Sequence, residues 1–373
     1  MRNPFNYLQL AKGDQFFDRL QILSDLKSRF LSGQSNVVIY GPRRYGKSSL
    51  VAELAEQLEQ EGFVCFSFDM MKMATVNLFA ETYATKIYRR LAPVRSGVRQ
   101  LADFFKSLRP KLTIGSDGET SFSFESSASQ MGPEELSEIL DLPQRLSNGR
   151  RVLVAMDEFQ EVEDILPNCG FERVMRSVIQ EHRNVSYIFL GSRYHLLRRM
   201  FTEHSRPFYK SALTMLLDKP PVEESVAFVE NRFRSSGIGI SQDAARLLVD
   251  RIANIPYYIQ QLGFETFRFA DEAGRKEATK DDVDAAFARL SGFNRDQYEQ
   301  AMLAFSTAQK KLLIALARET THSFDTAYRT RHGLGASSTV NSAKKKLMED
   351  GHIEQIGKIC RLSDPFFAEY LRS

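Results

Sequence analysis

At 373 residues the chain exceeds one core of ordinary size, so two or three domains are expected. Its 50 basic and 47 acidic side chains leave a net charge of +3, which excludes a global field for nucleic acid or an anionic membrane and confines any such surface to a local patch. Cys65, Cys169 and Cys360 are too widely spaced to suggest a zinc site or a disulfide framework. No apolar run approaches bilayer length, and residues 1–14 are too polar and mixed for a signal peptide, so a soluble, cytoplasmic chain with no membrane partner is expected.

Phe5, Tyr7, Phe16 and Phe17 precede a helical pattern over 19–30, in which Leu20, Leu23, Leu26 and Phe30 form an apolar face to set against a sheet. These aromatics read as core anchors for a chain end, with an adenine pocket at 17–19 as the sharper alternative. The next stretch, 37–40, is apolar and β-branched and reads as a buried strand. Gly41, Gly46, Lys47 and Ser48 then fit G-x-x-x-x-G-K-[ST] without a gap, and a helix over 48–60 follows. The pattern is that of a phosphate-binding loop. Glycine lets the chain leave the strand, the loop Pro42, Arg43, Arg44, Tyr45, Gly46 and on to Ser49 is expected to wrap the nucleotide with the N–H groups after the proline facing phosphate oxygens, and the helix start favours an anion. Lys47 would reach the β- and γ-phosphates of ATP, and the Ser48 hydroxyl would ligate Mg²⁺.

A second apolar strand over 63–68 ends at Asp69, completing a βαβ unit and implying a parallel sheet with helices on its faces. After a helix over 76–92, the region 94–148 breaks this rhythm. Within it, 111–114 and 120–125 flank Ser116-Asp117-Gly118, the signature of a β-hairpin inserted on the core. The polar stretch 126–130 is loop-like, and Pro133-Glu134-Glu135 opens the next helix. The run from Arg151 to Met156 then leads into Asp157 and Glu158. Acids at the carboxyl end of a buried strand lie where open α/β sheets bind ligands. An apolar run before Asp-Glu is common by itself; downstream of a phosphate loop it reads as Walker B. Asp157 is expected to hold Mg²⁺, and Glu158 to orient or deprotonate the attacking water. The strand 185–190 ends in Gly191-Ser192-Arg193, and Ser192 either senses the γ-phosphate or caps a helix over 193–201.

Gly-Pro-Arg-Arg-Tyr-Gly-Lys-Ser, Met-Asp-Glu-Phe-Gln, Phe-Leu-Gly-Ser, Arg-Pro-Phe-Tyr-Lys and Asn-Ile-Pro-Tyr-Tyr-Ile-Gln occur in this order. Over essentially its whole length the chain resembles the archaeal-type ATPase family, which groups with STAND and AAA+-like P-loop ATPases and is similar in layout to archaeal replication initiators. The resemblance implies an α/β P-loop NTPase core with a parallel, AAA+-like sheet, in which an additional strand separates the Walker A and Walker B strands. A helical lid and a C-terminal winged helix would follow. It assigns Gly41, Gly46, Lys47 and Ser48 to phosphate and Mg²⁺, Asp157 and Glu158 to Walker B, and Ser192 to the sensor position. It also implies adenine over guanine. Two departures stand out. Where relatives carry an arginine finger candidate, this chain has Lys210 after Pro207-Phe208-Tyr209, so either Arg206 serves or trans-activation is weak. Where relatives have Gly-His-Pro, it has Asn254-Ile255-Pro256, so a turn that Asn tolerates survives while a sensing histidine is lost.

Beyond Pro220-Pro221, helical patterns fill 222–236, 242–253, 256–271 and 280–291. Here Tyr257, Tyr258 and Ile259 read as lid core and Pro256 as a contact to adenine. Helices over 307–318, 326–332 and 337–348 and strands over 353–355 and 359–362 make a winged helix. The domains expected are therefore an ATPase core over 1–219 with its hairpin near 111–125, a lid over 220–295 and a winged helix over 296–373. Lys344, Lys345 and Lys346 are available for DNA, but a charge run on a helix more often marks a solvated face, and Glu349, Asp350 and Glu354 oppose phosphate. The apolar ending over 364–371 is expected to dock within the molecule. The leading reading is an ATP-dependent molecular switch with slow Mg²⁺-dependent hydrolysis, with a protein partner or self-association open. An ATP-regulated DNA-binding protein is the alternative, and a nucleotide-binding scaffold with little turnover is a third.

Overall fold

A computed structural model describes residues 2–16, 19–33, 35–92, 110–114, 120–124, 131–167 and 170–373. Phe17 and Asp18, the hairpin tip Ser116-Asp117-Gly118, the stretch 126–130 and Cys169 lie outside the described residues. The chain forms two compact units, one comprising Arg19–Gly41 and Lys47–Leu217, the other Met1–Asp18, Pro42–Gly46 and Asp218–Ser373.

The first unit is built on a sheet. In chain order its strands are β1 (Asn36–Tyr40), β2 (Val64–Asp69), a hairpin of β3 (Pro110–Ile114) and β4 (Thr120–Phe124), β5 (Val152–Asp157), β6 (Val185–Gly191) and β7 (Leu213–Leu216). Five of them form a parallel sheet in the order β2-β5-β6-β1-β7, and β3 and β4 pair antiparallel by themselves. β6 therefore separates β1 and β5. Position explains composition: every residue of β6 is buried, as is β5 up to Met156, because a central parallel strand is covered on both faces. The edge strand β7 exposes Leu213 and Leu216. The helix Leu20–Ser32 packs on the helix Lys47–Gln60, burying Leu23, Leu26 and Phe30, whereas Leu20 at its first position is 72% exposed. The helix Val76–Leu91, whose cap Thr75 accepts from the Leu78 N–H, packs on Pro133–Leu146.

The second unit is largely helical. Val222–Ser235, Gln242–Arg251, Pro256–Glu272 and Lys280–Phe293 form the lid, with a minimal parallel pair of β8 (Gly239–Ile240) and β9 (Glu277–Ala278). An additional helix, Arg295–Ala304, precedes the winged helix. That domain consists of helices Thr307–Arg318, Thr326–Arg331 and Ser337–Glu349 and an antiparallel wing, β10 (Ile353–Ile356) and β11 (Ile359–Leu362), turning at Gly357 with φ +59°. Ser306 and Gln309 form a reciprocal capping box at the first helix. The closing helix Pro365–Arg372 buries Phe366 against Tyr258 and Phe287, at ring separations of 5.6 and 5.1 Å. One continuous apolar cluster joins lid and winged helix, with Phe5 in it as a chain-end anchor. Gly263 is needed there, because a Cβ would meet the Phe5 ring at 2.7 Å.

Candidate nucleotide site

β1 delivers the chain to Gly41, where a side chain would collide with the Leu217 carbonyl oxygen, so glycine alone fits. Arg44 (φ +68°) and Gly46 (φ +83°) are both left-handed, a curvature that turns backbone N–H groups towards one concavity at the start of the helix Lys47–Gln60. For Arg44 that conformation costs about 1–2 kcal/mol. Lys47 is buried, and its Nζ donates to the Gly41 carbonyl at 2.8 Å. The Ser48 hydroxyl donates to Asp157 Oδ2 at 2.5 Å, joining the loop to the end of β5. Burial pushes the Asp157 carboxyl above its ordinary range; the Ser48 hydrogen bond opposes this and the Glu158 charge adds to it.

Glu158 occupies a left-handed position, φ +51° and ψ +44°, an uncommon backbone for a non-glycine residue and one found where function demands it. Its Oε2 accepts from Gln160 Nε2 at 2.6 Å, from the Ser192 N–H at 3.0 Å and from the Ser192 hydroxyl at 2.9 Å. Burial acts to raise this carboxyl, but the Gln160 and Ser192 hydrogen bonds together with the Lys47 charge hold it below its usual range. The N-cap position of the following helix Tyr194–Thr202 falls on Arg193, whose side chain makes no cap hydrogen bond. Gln160 lies inside the Met-Asp-Glu-Phe-Gln motif, and its spacing of two from Glu158 is the one sequence signal of this contact. Gly191 makes room for it, since a Cβ there would strike the Gln160 amide and approach Leu197 to 2.9 Å.

Lys47, Ser48, Asp157, Glu158 and Ser192 are thus brought together at the carboxyl ends of β1, β5 and β6. The two finger candidates are engaged differently. Arg206 pairs with Glu163 at 2.8 Å and contacts buried Glu172 with both Nε and Nη2, while Lys210, left-handed at φ +54°, is exposed with Nζ 5.2 Å from the Tyr209 ring centre. In the second unit, Pro256 takes the first position of its helix, after Ala253 and Asn254, both left-handed. Asn254 thus supplies the turn expected of it, and its Nδ2 donates to the Pro220 carbonyl at 2.7 Å. Within the loop tip, Pro42 is buried and Arg43 exposed; the Tyr45 side chain is fully buried in the core of the second unit, leaving its backbone to the loop. Ser49 is half-buried in the first turn of the helix.

Among the described residues no cluster of three or more His, Cys, Asp or Glu side chains could hold a metal by itself. The oxygen pair of Ser48 and Asp157 suits Mg²⁺, which takes few protein ligands and completes its shell with water and substrate phosphate. These two residues would hold the ion, and Lys47 with the loop N–H groups would hold phosphates.

A family profile described as an AAA domain matches residues 28–200, and one described as a probable winged helix domain matches residues 296–373. Among solved structures, the Walker-type ATPase PABY2304 of Pyrococcus abyssi is similar at a TM-score of 0.66 and 18% identity, with 99% of this chain and 100% of that one covered. The Aeropyrum pernix ORC2 protein, solved as ADPNP–ADP complexes, gives 0.62 at 14% identity over 100% and 96%. The ORC1 protein of the same organism, in complex with DNA, gives 0.52 at 14% over 96% and 93%. No protein of curated function matches the sequence. These matches carry the AAA part of the resemblance and not the STAND part. Residues 28–200 thus carry the AAA-domain profile and residues 296–373 the winged-helix profile, on a fold shared with the Walker-type ATPase and the ORC proteins named above.

Proposed function

We propose that the protein is an ATP-dependent molecular switch that hydrolyses Mg²⁺-bound ATP slowly. The observation that carries this reading is the triple hydrogen bond to Glu158 Oε2 from Gln160 and Ser192. A carboxylate stabilised in its charged form is a weak base, so Glu158 orients a water readily but takes its proton poorly. The Ser192 hydroxyl loosens its part of this hold on Glu158 when it is given another acceptor, and a γ-phosphate oxygen beside the loop is such an acceptor. Lys47 binds and orients phosphate, while Ser48 and Asp157 supply oxygen ligands to Mg²⁺, whose chemistry is to neutralise charge on the transferring phosphoryl group. Adenine preference rests on the family resemblance. The test is steady-state phosphate release alongside equilibrium binding. ATP that binds with turnover below about 1 s⁻¹, the low end of ordinary enzyme rates, is expected, and turnover at tens per second defeats the switch reading.

A second reading draws on the ORC1 relative, whose structure contains DNA. On this reading the winged helix grips a duplex under nucleotide control. The charges on its third helix weigh against it: Lys346 pairs with Asp350 at 2.8 Å and Lys345 approaches Glu349 to 3.9 Å.

A further inference from the structure

We propose that Tyr45 is a latch through which the winged helix fixes the tip of the phosphate loop, so that nucleotide release is governed from the winged helix. The inference rests on the nucleotide reading above and adds its control. Tyr45 occupies a position that the loop motif leaves free, yet its side chain is fully buried. Its hydroxyl donates to Glu354 Oε1 on β10 at 2.6 Å and accepts from Arg361 Nη2 on β11 at 2.6 Å, and these two residues pair with each other at 2.5 Å. The three groups close a triangle in which each satisfies the other two. Glu354 is only 7% exposed, so it faces this triangle and not the solvent side of the wing.

The preceding residue is held from the same unit. The Arg44 guanidinium lies over the rings of Tyr257 and Tyr258, 5.2 and 4.9 Å from their centres, and pairs with Asp364 at 3.4 Å. Its carbonyl accepts from the Tyr257 N–H at 3.3 Å. A left-handed arginine persists only where its surroundings over-determine it, and here the lid, the wing and the cap of the closing helix do so. Gly46 and Lys47 follow directly, so any movement at 44–45 passes along the chain to the N–H groups that must face phosphate. The docked winged helix therefore keeps the loop in a phosphate-ready shape, and its release loosens the loop. By linkage, bound nucleotide must hold the wing in return.

The test uses the full chain with a fluorescent N-methylanthraniloyl ADP and Mg²⁺, chased with unlabelled ADP. Tyr45→Phe removes the hydroxyl from the triangle while leaving Glu354 and Arg361 paired, and should release the probe about tenfold faster, within the usual range of coupling between sites. In the wild type, ADP should slow amide exchange over 353–362, and in Tyr45→Phe it should not. Unchanged release together with wild-type protection of the wing in Tyr45→Phe overturns the latch. Should Tyr45→Phe fail to fold, Arg361→Lys, which keeps the charge but loses the fork that spans Glu354 and Tyr45, is read in the same way. Wild type that binds no probe defeats the nucleotide reading and the latch with it. Binding that Lys47→Ala abolishes and Tyr45→Phe leaves untouched defeats the latch alone.

Discussion

Ser192 donates both its backbone N–H and its hydroxyl to one oxygen of Glu158, across 34 residues of sequence and at the ends of neighbouring strands. A residue at the end of β6 thereby sets the basicity of a residue at the end of β5. The backbone half of that hold belongs to the fold, and only the hydroxyl half can be switched.

Ser192→Ala tests this division. A hydrogen bond from the Ser192 hydroxyl helps hold the Glu158 carboxyl in its charged form, so losing that hydroxyl should raise the carboxyl, while Gln160, the Ser192 N–H and the Lys47 charge continue to hold it down. Because a depressed carboxyl keeps its charged form to lower pH, the acid limb of kcat/KM for phosphate release should move upward in the variant. An unmoved limb would separate Ser192 from Glu158 function.

Glu158→Gln keeps the shape and an acceptor oxygen but removes the base. ATP should bind as before while phosphate release falls by about 10²–10⁴-fold. Wild-type turnover in this variant would remove Glu158 from the reaction.

Lys47→Ala should abolish Mg²⁺·ATP binding in calorimetric titration of a folded protein, since the loop loses the cation that reaches the phosphates. Asp157→Ala should weaken only the Mg²⁺-dependent part. Asp157 sits above the ordinary carboxylate range because of its burial, so protonation sets in at higher pH and Mg²⁺-dependent affinity should begin to fail earlier on acidification than an exposed carboxylate would allow. Affinity for ATP unchanged in Lys47→Ala would sink the site.

The parts legible in the sequence are the local ones. Strand, Gly41-to-Ser48 loop and helix are contiguous, and so are β5 and its Asp157-Glu158 end; each carries its geometry in a few neighbouring residues. β7 was not legible, because a four-residue edge strand with Leu213 and Leu216 exposed lacks the apolar run of a buried one. Nor was the role of Tyr45, whose hydrogen-bond partners lie 309 and 316 residues away, a distance at which no periodicity speaks. Glu354, which the sequence sets against phosphate beside Glu349 and Asp350, is turned inward, illegible in the sequence for the same reason.

Arg206 should act first on stability. Glu172 is buried, with its carboxyl pushed up to about 7 by that burial against the pull of the Arg206 guanidinium. Arg206→Ala strands this carboxylate, and breaking a buried pair typically costs about 3–5 kcal/mol, readable as a shift in urea midpoint. The sign with pH follows from a raised carboxyl: its contribution to stability is fully present below the ordinary pKa of 4.5 and is lost as pH rises through about 7. Glu172→Gln should remove that part of the pH dependence. An Arg206→Ala protein of unchanged stability and abolished turnover would instead favour a finger role.

The winged helix is where the two functional readings part. A duplex reader needs an exposed basic third helix, and this one neutralises itself: Lys345 and Lys346 face Glu349 and Asp350 one turn on, and Lys344 lies 5.6 Å from the ring centre of Phe324. The inward turn of Glu354 removes one opposing charge, and Lys358 stands between β10 and β11, so the wing itself is less acidic than its sequence suggests. Each phosphate contact contributes about 0.9 to the slope of log affinity against log salt, so a true reader shows a steep slope. Weak or absent duplex binding with a shallow slope is expected in fluorescence anisotropy across a salt series, with and without ATP. The comparison is a variant carrying Lys344→Ala, Lys345→Ala and Lys346→Ala. Submicromolar binding at physiological salt that this variant loses would make DNA the partner and the ATPase its regulator. Equal, salt-insensitive behaviour of the two proteins would leave the wing to its partnership with Tyr45.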